Sequence, residues 1–453
     1  MRSSRKFAAG VLAIIVICGF SVVSEAEQIR LKVSGAKVDC VDVPVHTVID
    51  LPESFANVPV EQIAVGLRQT SRGGGGIYGK LIPGQIVKSS DKKAELWWVV
   101  PRVEVGKTTR WTAALNRREK ADKDEFSWRD KEGDYLDLLF GGRKVTRYMY
   151  AYDTSSPQRT FETYKPLHHV FDAQGKNLLT NGPDGEHPYT KGIKYPHHRG
   201  IFIGWNRLEF GGQQYDLWHM KEAHQVHQEF LELSAGPVLA KAKALIHWND
   251  KNGEPIIAEQ RETTVFRQSE PTILLLEFHT KLKAVRGDVF LNGDPEHAGF
   301  QYRAHDDVAK GGKEVKATYL FHKDGIDPKK DYNLPWAAMS YGLNGRRYSV
   351  QHMNHPDNPA QQRWVPIKTR RWQATIYSAY RDYGRFGAFF KEEIRAGKTL
   401  TLRYRIWVGL RKAMPKRQAQ QRWVPKDPPL AGADRYSAFV NGPKVEVLSA
   451  RTP

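Results

Sequence analysis

One short stretch of the sequence concentrates residue types that carry out chemistry. Tyr195–Gly200 reads Tyr-Pro-His-His-Arg-Gly, so two imidazoles and a guanidinium lie between a proline and a glycine. Histidine titrates near neutral pH and binds metals, and arginine holds anions through paired hydrogen bonds. Because function concentrates in loops, this turn predicts an acid–base or metal site. The alternative is that these side chains are simply buried and hydrogen-bonded.

Further polar segments are candidates to join this turn, namely Lys165–His169, Glu296–Arg303 and His352–Pro359. Glu259 and Arg261 lie two residues apart, so they share one face of a strand. A histidine-rich metal site needs three or four ligands from different segments, and the sequence contains neither His-Glu-x-x-His nor Cys-x-x-Cys. Metal binding and metal-free His/carboxylate catalysis therefore both stay open.

Several other chemistries lack their sequence signatures. There is no Gly-x-Ser-x-Gly elbow for an esterase-type nucleophile. The glycine run at residues 73–76 lacks the Gly-Lys-Ser/Thr of a phosphate loop. A carboxylate pair for glycoside cleavage could come from Asp216, Glu259, Glu296 and Asp357, and the separation of the two carboxylates would decide the stereochemistry.

The N-terminal residues read as a secretory signal peptide. A basic segment (residues 2–6) precedes an apolar one (residues 8–23) and a cleavage site that ends at Ala26. We expect cleavage there and a secreted or periplasmic protein, with an uncleaved anchor as the alternative. No later segment is apolar enough to span a bilayer. Cys40 would then be the single cysteine, which excludes an internal disulfide.

Composition limits the class of protein and of partner. A chain of 453 residues with 40% hydrophobic residues can bury a large core. Its net charge of +19 favours polyanionic partners. For an exported protein we expect an acidic polysaccharide or envelope component, or another small-molecule substrate, and no nucleic acid. The alternative is that the spread-out charge only aids solubility.

Strand patterns dominate the elements that must position these residues. Thr399–Val408 and Ala242–Trp248 alternate apolar and polar residues, and no long amphipathic helix is evident. The pattern predicts an all-β protein of sandwich or barrel architecture, preceded by a small β domain. We divide the chain into a signal peptide (1–26), a small N-terminal β domain (27–116), a charged linker (117–144), a main β domain (145–412) and a basic, Pro-containing tail (413–453).

These motifs resemble those of the domain family labelled methane oxygenase PmoA, whose function is poorly established. The resemblance covers about residues 145 to 410 and rests on Tyr195–Gly200, Gly212–Trp218, Glu259–Arg261, Ala298–Arg303 and His355–Pro359. The chain departs from the family pattern where Lys194 and Tyr195 replace an Asp-His pair. The resemblance implies that the main domain is a large two-sheet antiparallel β-sandwich of the mutarotase-like "supersandwich" type, also seen in polysaccharide lyases. It does not imply a membrane methane monooxygenase subunit, which spans the bilayer several times.

The leading hypothesis is an exported carbohydrate-active enzyme, a hydrolase or lyase that cleaves or rearranges a glycan. We expect acid–base catalysis by His198, His355 and Glu259, with His168 and His197 as ligands of a possible divalent metal. The expected substrate-binding residues are Arg199, Arg303, Trp205, Trp218, Asp216 and Asn358. One alternative is a non-catalytic protein that binds an acidic glycan or envelope component. Another is a transition-metal protein, as the family label implies.

Overall fold

The computed structural model describes residues 27–451, apart from residues 36, 71–76, 89–92, 119, 191, 359–374 and 412–428. The described residues are mainly β-strands, which confirms the predicted all-β class. The helices are α1 (Pro157–Thr163), α2 (Asp306–Lys310) and α3 (Pro429–Val440), with 3-10 turns at Glu53–Phe55 and Val60–Gln62. Within the described part of the chain, no helix is both long and apolar enough to cross a membrane.

Seven antiparallel strands form an N-terminal sheet with its own hydrophobic core. They are β1 (Glu27–Ser34), β2 (Cys40–Asp50), β3 (Ile63–Thr70), β4 (Ile77–Lys88), β5 (Lys93–Val103), β6 (Thr108–Arg117) and the last strand of the chain, β27 (Lys444–Arg451). Their order is β2-β5-β4-β3-β6-β1-β27. Alternation along β1 buries Ile29, Leu31 and Val33 and exposes the residues between them.

The strand β27 corrects the prediction for the C-terminal tail. Residues 413–453 were predicted to be a basic, Pro-containing tail, yet β27 pairs with β1 from Gln28 to Ser34. Val445 lies opposite Val33 and packs against the N-terminal core. This strand is short and contains several charged residues, so its sequence gives only a weak strand signal. Its pairing with β1 became evident only in the folded chain.

Eight antiparallel strands form the first large sheet. They are β7 (Phe126–Lys131), β8 (Tyr135–Phe140), β9 (Arg143–Met149), β10 (Leu167–Val170), β11 (Ile201–Trp205), β19 (Ala298–Arg303), β23 (Ile376–Tyr377) and β24 (Arg385–Phe389). Their order is β23-β24-β19-β11-β10-β9-β8-β7. Residues 117–144, predicted as a charged linker, therefore supply β7, β8 and the start of β9. Three of the charges, Arg129, Asp130 and Lys131, lie on the edge strand β7 and are exposed, and many others precede it, which explains why the stretch looked like a linker.

Eight more antiparallel strands form the second large sheet, in the order β14-β15-β16-β17-β26-β22-β21-β20. They are β14 (His224–Ala235), β15 (Leu239–Asn249), β16 (Pro255–Phe266), β17 (Thr272–Ala284), β20 (Thr318–Phe321), β21 (Trp336–Leu343), β22 (Arg346–Asn354) and β26 (Thr399–Arg411). A small four-stranded sheet is built from β12 (Arg207–Phe210), β13 (Gln213–Tyr215), β18 (Val289–Asn292) and β25 (Glu392–Ile394).

The two large sheets pack face to face around one shared core. Phe300 of β19 lies 4.4 Å from Phe278 of β17 and 4.6 Å from Tyr404 of β26, measured between ring centroids. The hydroxyl groups of Tyr302 and Tyr341 bond across the same interface at 2.9 Å. Buried aromatic pairs of this kind contribute both apolar area and specific geometry. The predicted two-sheet sandwich is therefore present.

The outer face of the first large sheet is the surface that matters for chemistry. Phe300 and Tyr302 of β19 enter the shared core, so alternation places Gln301 and Arg303 on the opposite, outer face. Long loops cover that face and bury it. Trp218, from the loop after β13, packs against Phe202 with ring centroids 4.6 Å apart.

Candidate functional site

Three histidines converge over the outer face of the first large sheet. His197 comes from the long loop between β10 and β11, His219 from the turn after β13, and His297 from the turn before β19. One ring nitrogen from each lies within 4.8 Å of the others. Ring centroids are 4.6 Å apart for His197 and His219, and 4.9 Å apart for His219 and His297. All three rings are partly exposed, so a ligand from solvent can reach them.

Two of these histidines are held by aspartates three residues earlier. The Oδ1 atom of Asp216 accepts the backbone N–H groups of Trp218 (3.0 Å) and His219 (2.8 Å), while Oδ2 lies 2.8 Å from His219 Nδ1. The Oδ1 atom of Asp294 accepts the N–H of His297 and also lies near its Nδ1, both at 3.0 Å. A carboxylate only accepts hydrogen bonds, so each Nδ1 donates, and Nε2 is the nitrogen that carries the lone pair of the neutral imidazole.

This carboxylate–imidazole pairing is the usual support of a metal-binding histidine. Burial alone would raise the pKa of Asp216 and Asp294, but hydrogen bonds from the two histidines outweigh it and lower both values. The two aspartates are therefore ionised and fix both the tautomer and the orientation of their rings. What remains beside His197 is the Nε2 atom of each of these two rings, which the aspartates leave free of their own hydrogen bonds.

His197 is accessible to solvent, whereas its neighbour His198 is buried. Their Nε2 atoms are 3.1 Å apart, and His198 is only 1% exposed. Burial, aided by neighbouring cationic groups, lowers the pKa of His197 to about 3 and that of His198 well below its usual value. Both rings are thus neutral at physiological pH, the form that binds metals. His198, expected as a catalytic acid–base group, instead lies beneath His197, where a substrate cannot touch it.

A buried amine connects the loops of His197 and His219. Lys165 Nζ donates to the carbonyl oxygens of His197 (2.8 Å) and Trp218 (2.5 Å), and it lies 3.7 Å from the ring centroid of Phe202. Burial lowers the pKa of Lys165 well below its usual value. One side chain therefore fixes the spacing of two loops that carry ligand atoms.

A buried guanidinium does the same for the loops of His297 and His197. Arg385 Nη1 donates to the carbonyl of Pro295 at 2.9 Å, and its Nε donates to Gln301 Oε1 at 3.2 Å. Gln301 Nε2 in turn donates to the carbonyl of Arg199 at 3.0 Å. This chain of bonds crosses the outer face of the sheet and joins the two loops. The arrangement is preorganised, because its supports are buried on strands.

The rim of the cluster carries charged and aromatic side chains open to solvent. Glu296, next to His297, forms an ion pair with Arg381 and accepts the hydroxyl of Tyr380 at 3.2 Å. Tyr195 is 46% exposed, has a φ of 55°, and packs on Tyr383 with ring centroids 4.4 Å apart. Positive φ is uncommon for a bulky residue and marks a backbone held by its surroundings.

Four residues expected to bind substrate are instead buried structural groups. Trp205 and Trp218 are 0% exposed, as are Arg199 and Arg303. Trp205 Nε1 donates to a carbonyl inside the core, and Arg199 donates to three backbone carbonyls. Arg303 pairs with a nearby aspartate and bonds to backbone carbonyls. The prediction was wrong here because Trp205 and Arg303 lie on buried strands, and the loops that carry Arg199 and Trp218 pack onto the sheet. Asp216, also expected on substrate, orients His219.

Two further predicted site residues lie in the core between the large sheets. His168 is 4% exposed and stacks on Tyr148, with ring centroids 4.7 Å apart. On the neighbouring position of the same strand, His169 faces the opposite side, so the pair cannot enter one site. Glu259 is 0% exposed and forms a 2.8 Å ion pair with Arg261. Neither His168 as a ligand nor Glu259 as a catalyst fits this position.

His355 and Asn358 lie at a separate place, beyond the end of β22. His355 contacts Phe439 of α3, with ring centroids 5.1 Å apart. Asn358 is 2% exposed and holds the turn by donating to Asn354 Oδ1 at 2.6 Å. The expected catalytic pair of His198 and His355 is therefore not assembled. Residues 359–374, which follow this turn, lie outside the described residues.

Sequence reasoning missed His219, His297 and Asp294 as site residues. The signal that could have found them is a repeated Asp-x-x-His pattern, at residues 216–219 and 294–297. A third copy, Asp184–His187, forms the same turn with Oδ2 2.8 Å from Nδ1, but its histidine is exposed at the surface. The spacing therefore predicts the aspartate–histidine pair, whereas only the fold decides which pairs meet.

The fold and the site together define an all-β protein of two packed sheets, with a three-histidine cluster over the outer face of one of them. Residues 135–424 match DUF6807, a family of unknown function. Because this match spans more than half of the sequence, the chain belongs to that family. The resemblance to the PmoA-labelled family stays a prediction.

Comparison with other proteins adds little to this classification. No curated protein matches the chain. Among solved structures, it is similar to a protein in the glycosyl hydrolase family 38 from Enterococcus faecalis, with 9% sequence identity and a TM-score of 0.41. The similarity covers 94% of this chain and 47% of that one, so this chain spans about half the length of that protein.

Proposed function

We propose that this protein is a metal-dependent hydrolase or lyase that acts on a glycan. The observation that carries the proposal is the convergence of His197, His219 and His297 within 4.8 Å, two of them fixed by aspartates. Three imidazole nitrogens on partly exposed rings match the ligand set of a catalytic zinc ion, which keeps its fourth position for water. Such an ion supplies a hydroxide at neutral pH or polarises a substrate oxygen.

The rim supports a hydroxyl-rich substrate. Glu296 offers acceptor oxygens and Arg381 offers donors beside His297, which suits the paired hydroxyl groups of a sugar. Tyr195 presents an exposed aromatic ring at the same edge. An exported location, predicted from residues 1–26, would bring the protein to such substrates. The histidines bind the ion, and the rim residues bind and orient the sugar.

Metal content tests the first half of the proposal. We expect the purified full chain to hold about one divalent transition metal per molecule by mass spectrometry. His219→Ala and His297→Ala should lose it, whereas His187→Ala, which alters the surface copy of the same motif, should retain it. Absence of metal after loading with zinc, cobalt or copper would contradict the proposal.

Turnover tests the second half. The metal-loaded protein is incubated with neutral and acidic polysaccharides, and new reducing ends or unsaturated products are measured with and without a chelator. Chelator-sensitive product supports a hydrolase or lyase. If the protein holds stoichiometric metal but forms no product from any polysaccharide, the proposal that it is an enzyme is rejected. The alternatives that remain are a transition-metal protein and a non-catalytic glycan-binding protein.

A further inference from the structure

A second cleft lies on the opposite side of the second large sheet from the shared core. It has a volume of about 670 Å³ and is enclosed by the N-terminal sheet, by α3 and by β16, β17 and β26. Sites for small molecules usually measure about 300–1,000 Å³ and often lie between domains. His355, whose motif the three-histidine site does not use, lines this cleft.

The floor of the cleft alternates acidic and basic side chains across neighbouring strands. Glu262, His279 and Arg403 lie opposite one another in one row. In the adjacent row, Glu277 forms an ion pair with Arg405. Burial lowers the pKa of His279, so this ring is neutral near pH 7. Its Nε2 is buried and has no hydrogen-bond partner within the described residues.

The walls of the cleft are aromatic. Trp97 of the N-terminal sheet stacks on His46, with ring centroids 4.1 Å apart and planes 12° from parallel. Phe439 of α3 lies against His355 and under Arg405, whose guanidinium carbon is 4.5 Å from the ring centroid. Flat aromatic walls accept the C–H face of a sugar ring, while the floor meets its hydroxyl groups.

We propose that this interdomain cleft is a saccharide-binding site separate from the three-histidine cluster. Two carboxylates and two guanidiniums in alternation can bond to vicinal hydroxyls, each of which both donates and accepts. The lining carries two carboxylates, Glu262 and Glu277, against three cationic side chains, Arg403, Arg405 and Lys444. Because a strongly charged ligand of either sign would meet like charges, these nearly balanced charges favour a neutral sugar. The proposal does not depend on metal binding or on turnover.

Calorimetric titration of the full chain tests the proposal with four probes: cellohexaose, xylohexaose, maltohexaose and hexagalacturonate. We expect at least one neutral hexasaccharide to bind. Arg403→Met should weaken binding about tenfold, because it removes one charge-assisted hydrogen bond. Arg102→Met is the matched control, since Arg102 is a similarly exposed arginine of the N-terminal sheet outside this cleft. Trp97→Phe tests the aromatic wall while it keeps an apolar ring in place.

Several results would overturn the inference. One is that none of the probes binds to the correctly folded chain. A second is that both Arg403→Met and Trp97→Phe bind as tightly as the native chain. A third is a preference for hexagalacturonate, because the charge argument would then be wrong. Loss of binding in His297→Ala would place the sugar at the three-histidine cluster instead. Retained binding in that variant, together with loss in Arg403→Met, supports two separate sites.

Discussion

Replacing Asp216 by Asn should weaken metal binding while leaving the fold intact. The amide oxygen of Asn can still accept the two backbone N–H groups that Oδ1 of Asp216 accepts at 2.8 and 3.0 Å, so the turn persists. The changed contact is the one at 2.8 Å between Oδ2 and His219 Nδ1. An amide NH₂ there must donate, so Nδ1 becomes the acceptor and the ring proton moves to Nε2. That nitrogen then loses the lone pair it would offer to a metal.

The magnitude follows from the role of this contact. Loss of a partner that orients a ligating histidine costs about 10- to 100-fold in metal affinity. This corresponds to about 1.4–2.8 kcal/mol of binding free energy. The effect is confined to one of three ligands, so we expect weakened binding rather than its loss. Asp294→Asn should act similarly through His297.

Competition titration with a coloured zinc chelator measures the change. The matched control is Asp184→Asn, because Asp184 makes the same turn and the same 2.8 Å contact to a histidine outside the cluster. Thermal melting of the metal-free proteins checks that both variants fold. Our reasoning is refuted if D216N binds zinc within twofold of the native chain, or if D184N is weakened equally.

Three further outcomes are expected. Glu259→Gln should reduce the free energy of unfolding by about 3–5 kcal/mol, because it leaves Arg261 buried without its counter-charge; zinc affinity should not change, and loss of zinc would contradict its placement in the core. Burial lowers the pKa of His169 to about 4 and that of His352 to about 3. In the unfolded chain these histidines titrate at about 6.5, so below that pH the unfolded chain binds more protons than the folded one. The free energy of unfolding should therefore be constant above pH ~7 and decline between pH ~6.5 and ~4. Urea unfolding at several pH values measures this, His352→Gln should flatten the decline, and a pH-independent midpoint would contradict it. Removing Lys444–Arg451 should lower the melting temperature of the N-terminal sheet by exposing an edge of β1; an unchanged melting curve would show that β27 adds no stability.

The strands were the most predictable feature, because alternation of apolar and polar residues is a local property. Thr399–Val408 and Ala242–Trp248 both lie within strands, where the pattern predicted them. Errors arose at the edges of sheets. The charged stretch that contains β7 and the C-terminal strand β27 bury few of their side chains. Neither therefore shows a clear alternation of apolar and polar residues. Their pairing depends on partners far away in the sequence.

The site was less predictable than the fold. Clustered His and Arg drew attention to the turn that contains His197, but the same reasoning assigned buried Trp205 and Arg199 to a substrate. Neither the type of a residue nor its position in a loop predicts whether it is buried, because a long loop can pack as tightly as a strand. His219 and His297 were missed because each lies in its own short turn. They follow His197 and His219 by 22 and 78 positions, so nothing local in the sequence joins the three residues.

The sequence by itself determined the all-β class, because alternation of apolar and polar residues is a local pattern. It also determined the Asp-x-x-His turns, because each joins residues three positions apart. An aspartate meets a histidine three residues later whenever the backbone turns, and this happens three times here. Only the tertiary structure decided that two of these turns lie beside His197 while the third stays at the surface. That choice rests on the pairing of β11 with β19 and on the buried supports Lys165 and Arg385, which hold three distant loops at one place.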